Sequence, residues 1–208
     1  ARFLLACALA FPAAAQFTLE PAGPCTAEGV QDAIKAALEP NGHRVKEPGG
    51  AVLVEVWLAK AIPNEKPADQ PRGSDFPTLP VGALVGVIRY ARAGGDFRAQ
   101  PIQPGVYTMR FNLQPEDGDH QGASPRRDHV LLTPASVDAD PNSRPGFDDL
   151  VAMSRKASGT AHPQVLFLMA PESAASFPSV HHAHGREALL VKGGSQALGI
   201  VVVGKAEE

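Results

Sequence analysis

The sequence predicts a mainly β protein, an antiparallel β-sandwich with two short covering helices. Three observations support this. Apolar runs recur at 51–58, 81–90, 106–113, 128–133, 164–169, 186–192 and 196–203. The chain holds 20 Gly and 20 Pro with only 6% aromatics, the balance expected of many turns between short strands. Only two stretches show helical spacing, so strands do not alternate regularly with helices as a parallel sheet requires.

The chain opens on Arg2 and the apolar run Phe3-Leu4-Leu5-Ala6-Cys7-Ala8-Leu9-Ala10-Phe11, which closes on Ala13-Ala14-Ala15 before Gln16. A positive start, a short apolar stretch and small residues at the −3 and −1 positions predict a signal peptide over 1–15, cleaved after Ala15. The run is too short to span a bilayer. Leu4-Leu5-Ala6-Cys7 fits a lipoprotein box poorly, because the apolar stretch continues past Cys7. Residues 16–208 then form a single β-sandwich domain, long enough to bury its own core. The expected location is periplasmic or secreted.

Residues 16–25 read as an extended lead-in. Thr26 can cap a helix over 26–38, with Val30, Ile34 and Leu38 at four-residue spacing. Pro40-Asn41-Gly42 reads as a turn. The β-branched run 51–58 is a strand, with Trp57 in the core. Five prolines at 63, 67, 71, 77 and 80 make 61–80 a polar surface loop inserted between two strands, because Pro lacks the ladder donor. A strand follows at 81–90, and a short one is expected at 96–99. In the strand 106–113, Tyr107, Met109, Phe111 and Leu113 share the better buried face, opposite Val106, Thr108, Arg110 and Asn112.

The polar loop 114–127 leads to a strand at 128–133 and a turn-rich stretch at 135–146. A second helix covers 147–156: Asp148 and Asp149 lie in its first turn, Arg155 and Lys156 in its last, and Gly159 follows. The final strands are 164–169, 186–192 and 196–203, the last two joined by Gly193-Gly194. The expected total is about seven or eight strands and two helices.

Composition excludes several functions. With 19 Lys+Arg against 22 Asp+Glu, the formal net charge is −3. Arg126-Arg127 is too small for a basic patch, so no nucleic-acid partner is expected. No transmembrane helix is expected in the mature chain. Cys25 is the only cysteine left after cleavage, so an internal disulfide is excluded. It precedes a helix, which lowers a thiol pKa, but Pro24 and the nearby cleaved terminus mark it as incidental. No G-x-S-x-G surrounds Ser154, Ser158 or Ser173, and no G-x-G-x-x-G or Walker loop occurs. One Trp and two Tyr make a poor carbohydrate platform.

Two clusters remain as metal candidates. Glu116, Asp117 and Asp119 crowd carboxylates beside His120, and hard cations favour clustered oxygens. The spacing is not that of an EF-hand. Asp-Gly chemistry favours a solvated strand-to-strand turn instead. His181, His182 and His184 precede a strand. On an extended segment His182 and His184 share a side and His181 does not. Together with His120 and His129, they define a candidate divalent-metal site made of Asp117, Asp119, His120, His129, His182 and His184. The plainer alternative is an exposed polar loop.

Pro104-Gly105-Val106-Tyr107-Thr108-Met109-Arg110, Gln114 to Gly122, Arg127-Asp128 and Ser154 to Pro163 together resemble segments of exported bacterial β-sandwich proteins of uncharacterised function. The resemblance implies export and supplies neither an activity nor catalytic residues. The expected function is therefore a non-catalytic envelope protein that binds a protein partner or ligand through its loops. The alternative is a metal-dependent protein, of hydrolase type, built on the 116–129 loop and the 181–184 histidines.

Overall fold

The computed structural model describes residues 16–116 and 126–204. The expected signal peptide and the candidate ligands Asp117, Asp119 and His120 lie outside the described residues. The described chain contains β1 (Thr18–Gly23), α1 (Asp32–Ala37), β2 (Gly42–Lys46), β3 (Val52–Leu58), β4 (Leu84–Tyr90), β5 (Gly94–Gly95), β6 (Pro101–Ile102), β7 (Gly105–Leu113), β8 (Asp128–Pro134), α2 (Phe147–Ser158), β9 (Val165–Met169), β10 (Ser179–Ala183), β11 (Arg186–Gly193) and β12 (Gln196–Val203).

Ten strands form one sheet in the order β1-β2-β3-β4-β7-β8-β9-β12-β11-β10, antiparallel throughout. The edge strands β1 and β10 approach each other without forming a ladder. The expected sandwich is thus replaced by one nearly closed sheet. Strand twist, with bulges at Pro21/Gly23, Val45/Lys46 and Leu84/Gly86, supplies the curvature that wraps a single sheet around its core.

Register assigns the two faces, because directly opposed residues share one. Val56 opposes Ile88, which opposes Tyr107; Phe111 opposes Val130, which opposes Leu166; Leu168 opposes Ile200, which opposes Leu189. These side chains are buried in one aliphatic core inside the wrapped sheet. Val54, Val56, Val85, Val87, Tyr107, Met109, Phe111, Leu131, Leu166 and Leu168 are all buried.

The outer face is buried as well along β7 and β8. Thr108, Arg110 and Asn112, read from the sequence as the less buried face, are buried, because α2 and the connection 135–146 cover them. Leu150 of α2 joins Leu131, Val165, Phe167, Ala188, Leu190, Val201 and Phe97 in a second, external apolar cluster.

Several elements differ from expectation for local reasons. The first helix spans only Asp32–Ala37, although Val30, Ile34 and Leu38 are buried as their spacing predicts. Gly29 at φ +80° interrupts any helix from Thr26, and Gln31 takes the N-cap position. Gly42 begins β2 rather than belonging to a turn alone: a Cβ there would fall 2.3 Å from Trp57 Nε1, so only glycine admits the indole. The indole donates to the Gly23 carbonyl at 2.8 Å and ties β3 to β1. No strand forms at 96–99. Asp96 accepts hydrogen bonds from the amides of Arg98 and Gln100, which makes this segment the loop between β5 and β6.

The proline-rich loop 61–80 has no strand, as expected, but it is not wholly a surface feature. Ile62, Phe76 and Leu79 are buried. Asp128, fully buried at the start of β8, accepts from Ser74 Oγ at 2.6 Å and from the amides of Asp75 and Phe76 at 2.8 and 3.3 Å. Arg127 adds a 3.1 Å bond to the Arg72 carbonyl.

Candidate functional site

The largest buried polar group serves structure. Arg110 in β7 spends every guanidinium donor inside the protein. Nε and Nη2 form a fork on Asp138, both at 2.7 Å, and the remaining donors reach the carbonyls of Gly82, Asp140 and Ser143 at 2.7, 2.7 and 2.8 Å. Thr108 Oγ1 donates to the same carboxylate at 2.6 Å. A buried charge is tolerated only when paired and fully hydrogen-bonded, and this one is both. Its chemistry is used up in fixing the 135–146 connection across β7.

Asp96 plays a similar part. It is buried and accepts from Arg98, Gln100, Val165 and the Gln164 side chain. Burial pushes its carboxyl above the ordinary range, and the hydrogen bonds pull it back only partly. Ser154 is buried and bridges to Gln164, accepting from its amide at 2.9 Å and donating to its carbonyl at 3.2 Å. Ser158 donates to the His162 carbonyl at 2.6 Å. Both hydroxyls therefore cap and pin α2. Burial pushes the Cys25 thiol up, not down, and α1 begins well beyond it at Asp32.

The described histidines separate. His129, buried in β8, holds Nδ1 2.8 Å from the Arg127 carbonyl and packs edge-on to Phe97 and Phe167. His182 lies in β10 directly opposite Glu187, with Nδ1 2.6 Å from its carboxylate. His184 lies past the end of β10 at φ 51°. That left-handed turn breaks the strand alternation, so His184 joins His181, rather than His182, on one cavity wall. Among the described residues, no three His, Cys, Asp or Glu side chains come together as a metal set.

What the fold does bring together is an open groove on the outer face of β9–β12. Its floor is Phe167, Met169, Ala188 and Val201. Alternation aims these outward, since Ala188 opposes Val201 on one side and His181 on the other. Its rim is Asp75, Arg126, His181, His184 and Arg186, around a cavity of about 240 Å³. A second cavity of about 340 Å³, between the 171–176 loop and β10, shares Met169 and His181 with it.

Distant parts of the chain position the rim. Asp75 is brought in by the proline-rich loop, which Asp128 anchors, and it pairs with Arg126 Nε at 3.0 Å. The Arg186 guanidinium sits 5.4 Å from the centre of the Phe97 ring, and Phe97 stacks on Phe167 at 5.0 Å. An apolar floor with a few charged groups at its edge is the usual make-up of a binding site.

Sequence reasoning missed this groove. Arg126 was visible only as half of a small basic pair, and His181 was set apart from its neighbours. The apolar floor residues lie in runs indistinguishable from buried strand cores. The outward parity of Phe167 and Met169 was the one available signal, and it needed the register to be interpreted. Among the described residues, no helix is long and apolar enough to cross a membrane. No family model matches the chain, and no similar curated protein or solved structure is found.

Proposed function

We propose that this chain is an exported, non-catalytic binding protein whose ligand seats in the groove on the outer face of β9–β12. The observation that carries the reading is a cavity whose apolar floor, half-buried Met169 with buried Phe167, Ala188 and Val201, lies inside a charged rim. Ser154 and Ser158 are engaged in backbone bonds, and His182 holds its Nδ1 against Glu187. Both observations favour binding over nucleophilic catalysis. Export rests on the apolar run at 3–11 and the small residues at 13 and 15. An envelope protein partner would use the same face.

Fluorescence of the neutral dye Nile red tests the groove. Wild-type protein should enhance and blue-shift its emission. Met169→Trp, which fills the floor position shared by the two cavities, should abolish the enhancement while leaving the melting temperature nearly unchanged. No enhancement, or equal enhancement by a folded Met169→Trp protein, would refute the reading. Mass spectrometry of the protein recovered from a native envelope tests export. The expected N-terminus is Gln16, and retention of residues 3–15 would count against it.

A further inference from the structure

We propose that Asn41, at the entry to β2, is a site of spontaneous deamidation in the folded protein. The Gly42 amide nitrogen attacks the Asn41 side-chain carbonyl carbon, loses its proton and expels ammonia. The product is a five-membered succinimide. Water then opens the ring at either carbonyl and leaves aspartate or isoaspartate. Water is the only co-reactant, and nothing is oxidised or reduced. The reaction does not depend on the groove being a binding site.

Packing and exposure together single out this asparagine. A side chain on the following residue shields the attacking nitrogen, and glycine has none. Tertiary packing makes that glycine obligatory. A Cβ on Gly42 would collide with the Trp57 indole, whose Nε1 donates to the Gly23 carbonyl at 2.8 Å. Position 42 cannot take a shielding side chain without expelling the indole. Asn41 itself is exposed, and its side chain has no hydrogen-bond partner among the described residues. Gly42 opens its strand at an irregular end of the ladder, paired with Gly23 beside a bulge.

The other three asparagines, Asn64, Asn112 and Asn142, are guarded by the fold. Asn64 precedes Glu65, whose amide already donates to the Thr78 carbonyl at 2.7 Å. Asn142 precedes Ser143, whose amide donates to the Asp140 carbonyl at 3.2 Å. Asn112 is buried in β7, and Leu113 after it pairs with Asp128. An amide nitrogen held in a hydrogen bond and flanked by a side chain is a poorly directed nucleophile.

The position gives the modification a structural consequence. Either product adds a negative charge to a chain of formal net charge −3. Isoaspartate also routes the main chain through its side chain, which inserts one methylene before Gly42. Gly42 lies against Trp57 with no spare room, so the insertion displaces it from the indole. The Trp57 bond that ties β3 to β1 then weakens, and the edge strand β1 loosens. Trp57 is the only tryptophan, so its fluorescence reports the change.

The test is incubation of the folded full chain in mildly alkaline buffer, where the attacking nitrogen loses its proton more readily. Tryptic peptide mass spectrometry then follows all four asparagines. The Asn41 peptide should gain the mass difference of an acid over an amide well before the others. Isoaspartate O-methyltransferase with labelled S-adenosylmethionine should mark the same peptide. Trp57 emission should red-shift as the isoaspartate fraction grows. Asn41→Gln should show neither the mass gain nor the shift. Freshly purified Asn41→Asp adds the charge without the methylene and should keep native emission. If Asn64 or Asn142 reacts as fast as Asn41, or if Asn41 stays intact while the protein is folded, the proposal is overturned. A red shift already present in fresh Asn41→Asp would overturn the structural consequence, because charge alone would then explain it.

Discussion

The outer face of the sheet treats its polar residues in two opposite ways. Along β7 and β8 they are sealed. Thr108, Arg110 and Asp138 satisfy one another or nearby carbonyls under α2 and the 135–146 connection. Along β10 and β11 the same face carries His181 and Arg186 at the edge of an open groove. The strands do not differ in kind, since both ends of the sheet place apolar side chains inside. The difference is the cover. Where a helix and a long connection pack over the face, every charge must find an internal partner. Where the cover is only the Phe97 side chain of the β5–β6 loop, charged side chains stay at the rim of a cavity. Position under a covering element thus separates a buried, fully paired arginine from one that lines a cavity.

Four measurements can break or sharpen this comparison, in descending order of effect. Asp138→Ala strands the fully buried Arg110 guanidinium, and it should cost about 3–5 kcal/mol in urea unfolding. A loss under about 1 kcal/mol would place Arg110 with the exposed charges. Phe111→Ala empties a site in the inner core and should also cost about 3–5 kcal/mol. A much smaller loss would mean the inner face is misassigned.

Asp128→Ala should cost about 1–3 kcal/mol by orphaning the hydroxyl of Ser74 and the amides of Asp75 and Phe76. Its more specific signature is faster tryptic cleavage after Arg72, in the loop that Asp128 anchors. It should also loosen the groove rim, since Asp75 travels with that loop. Unchanged proteolysis would mean the loop is held by other contacts. Arg126→Gln, at the open end, should change stability by no more than about 0.5 kcal/mol, because exposed pairs contribute little. A loss of several kcal/mol would mean this end too is built for stability, and the comparison would fail.

Asp96 offers a test with pH. Its carboxyl is raised by burial, so the folded state binds this proton more tightly than the unfolded chain. The contribution of Asp96 is therefore most favourable below the ordinary aspartate value, and it is lost as pH rises through the raised folded value. Asp96→Asn removes that dependence. Wild type should lose stability relative to the variant as pH rises across that window, over a pH-independent offset from the altered hydrogen bonds. A flat difference would show that the four bonds to Asp96 fully offset its desolvation.

Much of the fold was legible because the local signals were strong. The period-two pattern of 106–113 identified Tyr107, Met109 and Phe111 as core. The second helix announced itself through Asp148 and Asp149 at one end and Gly159, its left-handed C-cap, at the other. β1, β2 and β10 were missed because their strand character comes from pairing. Pro21 sits on an edge strand, Gly42 looks like a turn residue, and the polar run Ser179–Ala183 has no apolar face of its own. The metal constellation rested on the assumption that alternation continues through residue 184. The His184 turn ends that alternation, and Asp117, Asp119 and His120 lie outside the described residues.

By itself, the sequence determined that this chain is rich in antiparallel strands, with two helices and an aliphatic core, because hydrophobic periodicity and turn chemistry are local. It did not determine that the strands join into one nearly closed sheet rather than two layers. Closure depends on which strands pair and how far the bulges bend them, and both are set by contacts between residues far apart in the chain. The same holds for the two kinds of arginine. Nothing near Arg110 in sequence announces Asp138, and nothing near Arg186 announces Asp75 or Arg126. Burial and partnership arise only when distant segments meet, and that meeting decided which charges seal the protein and which face the groove.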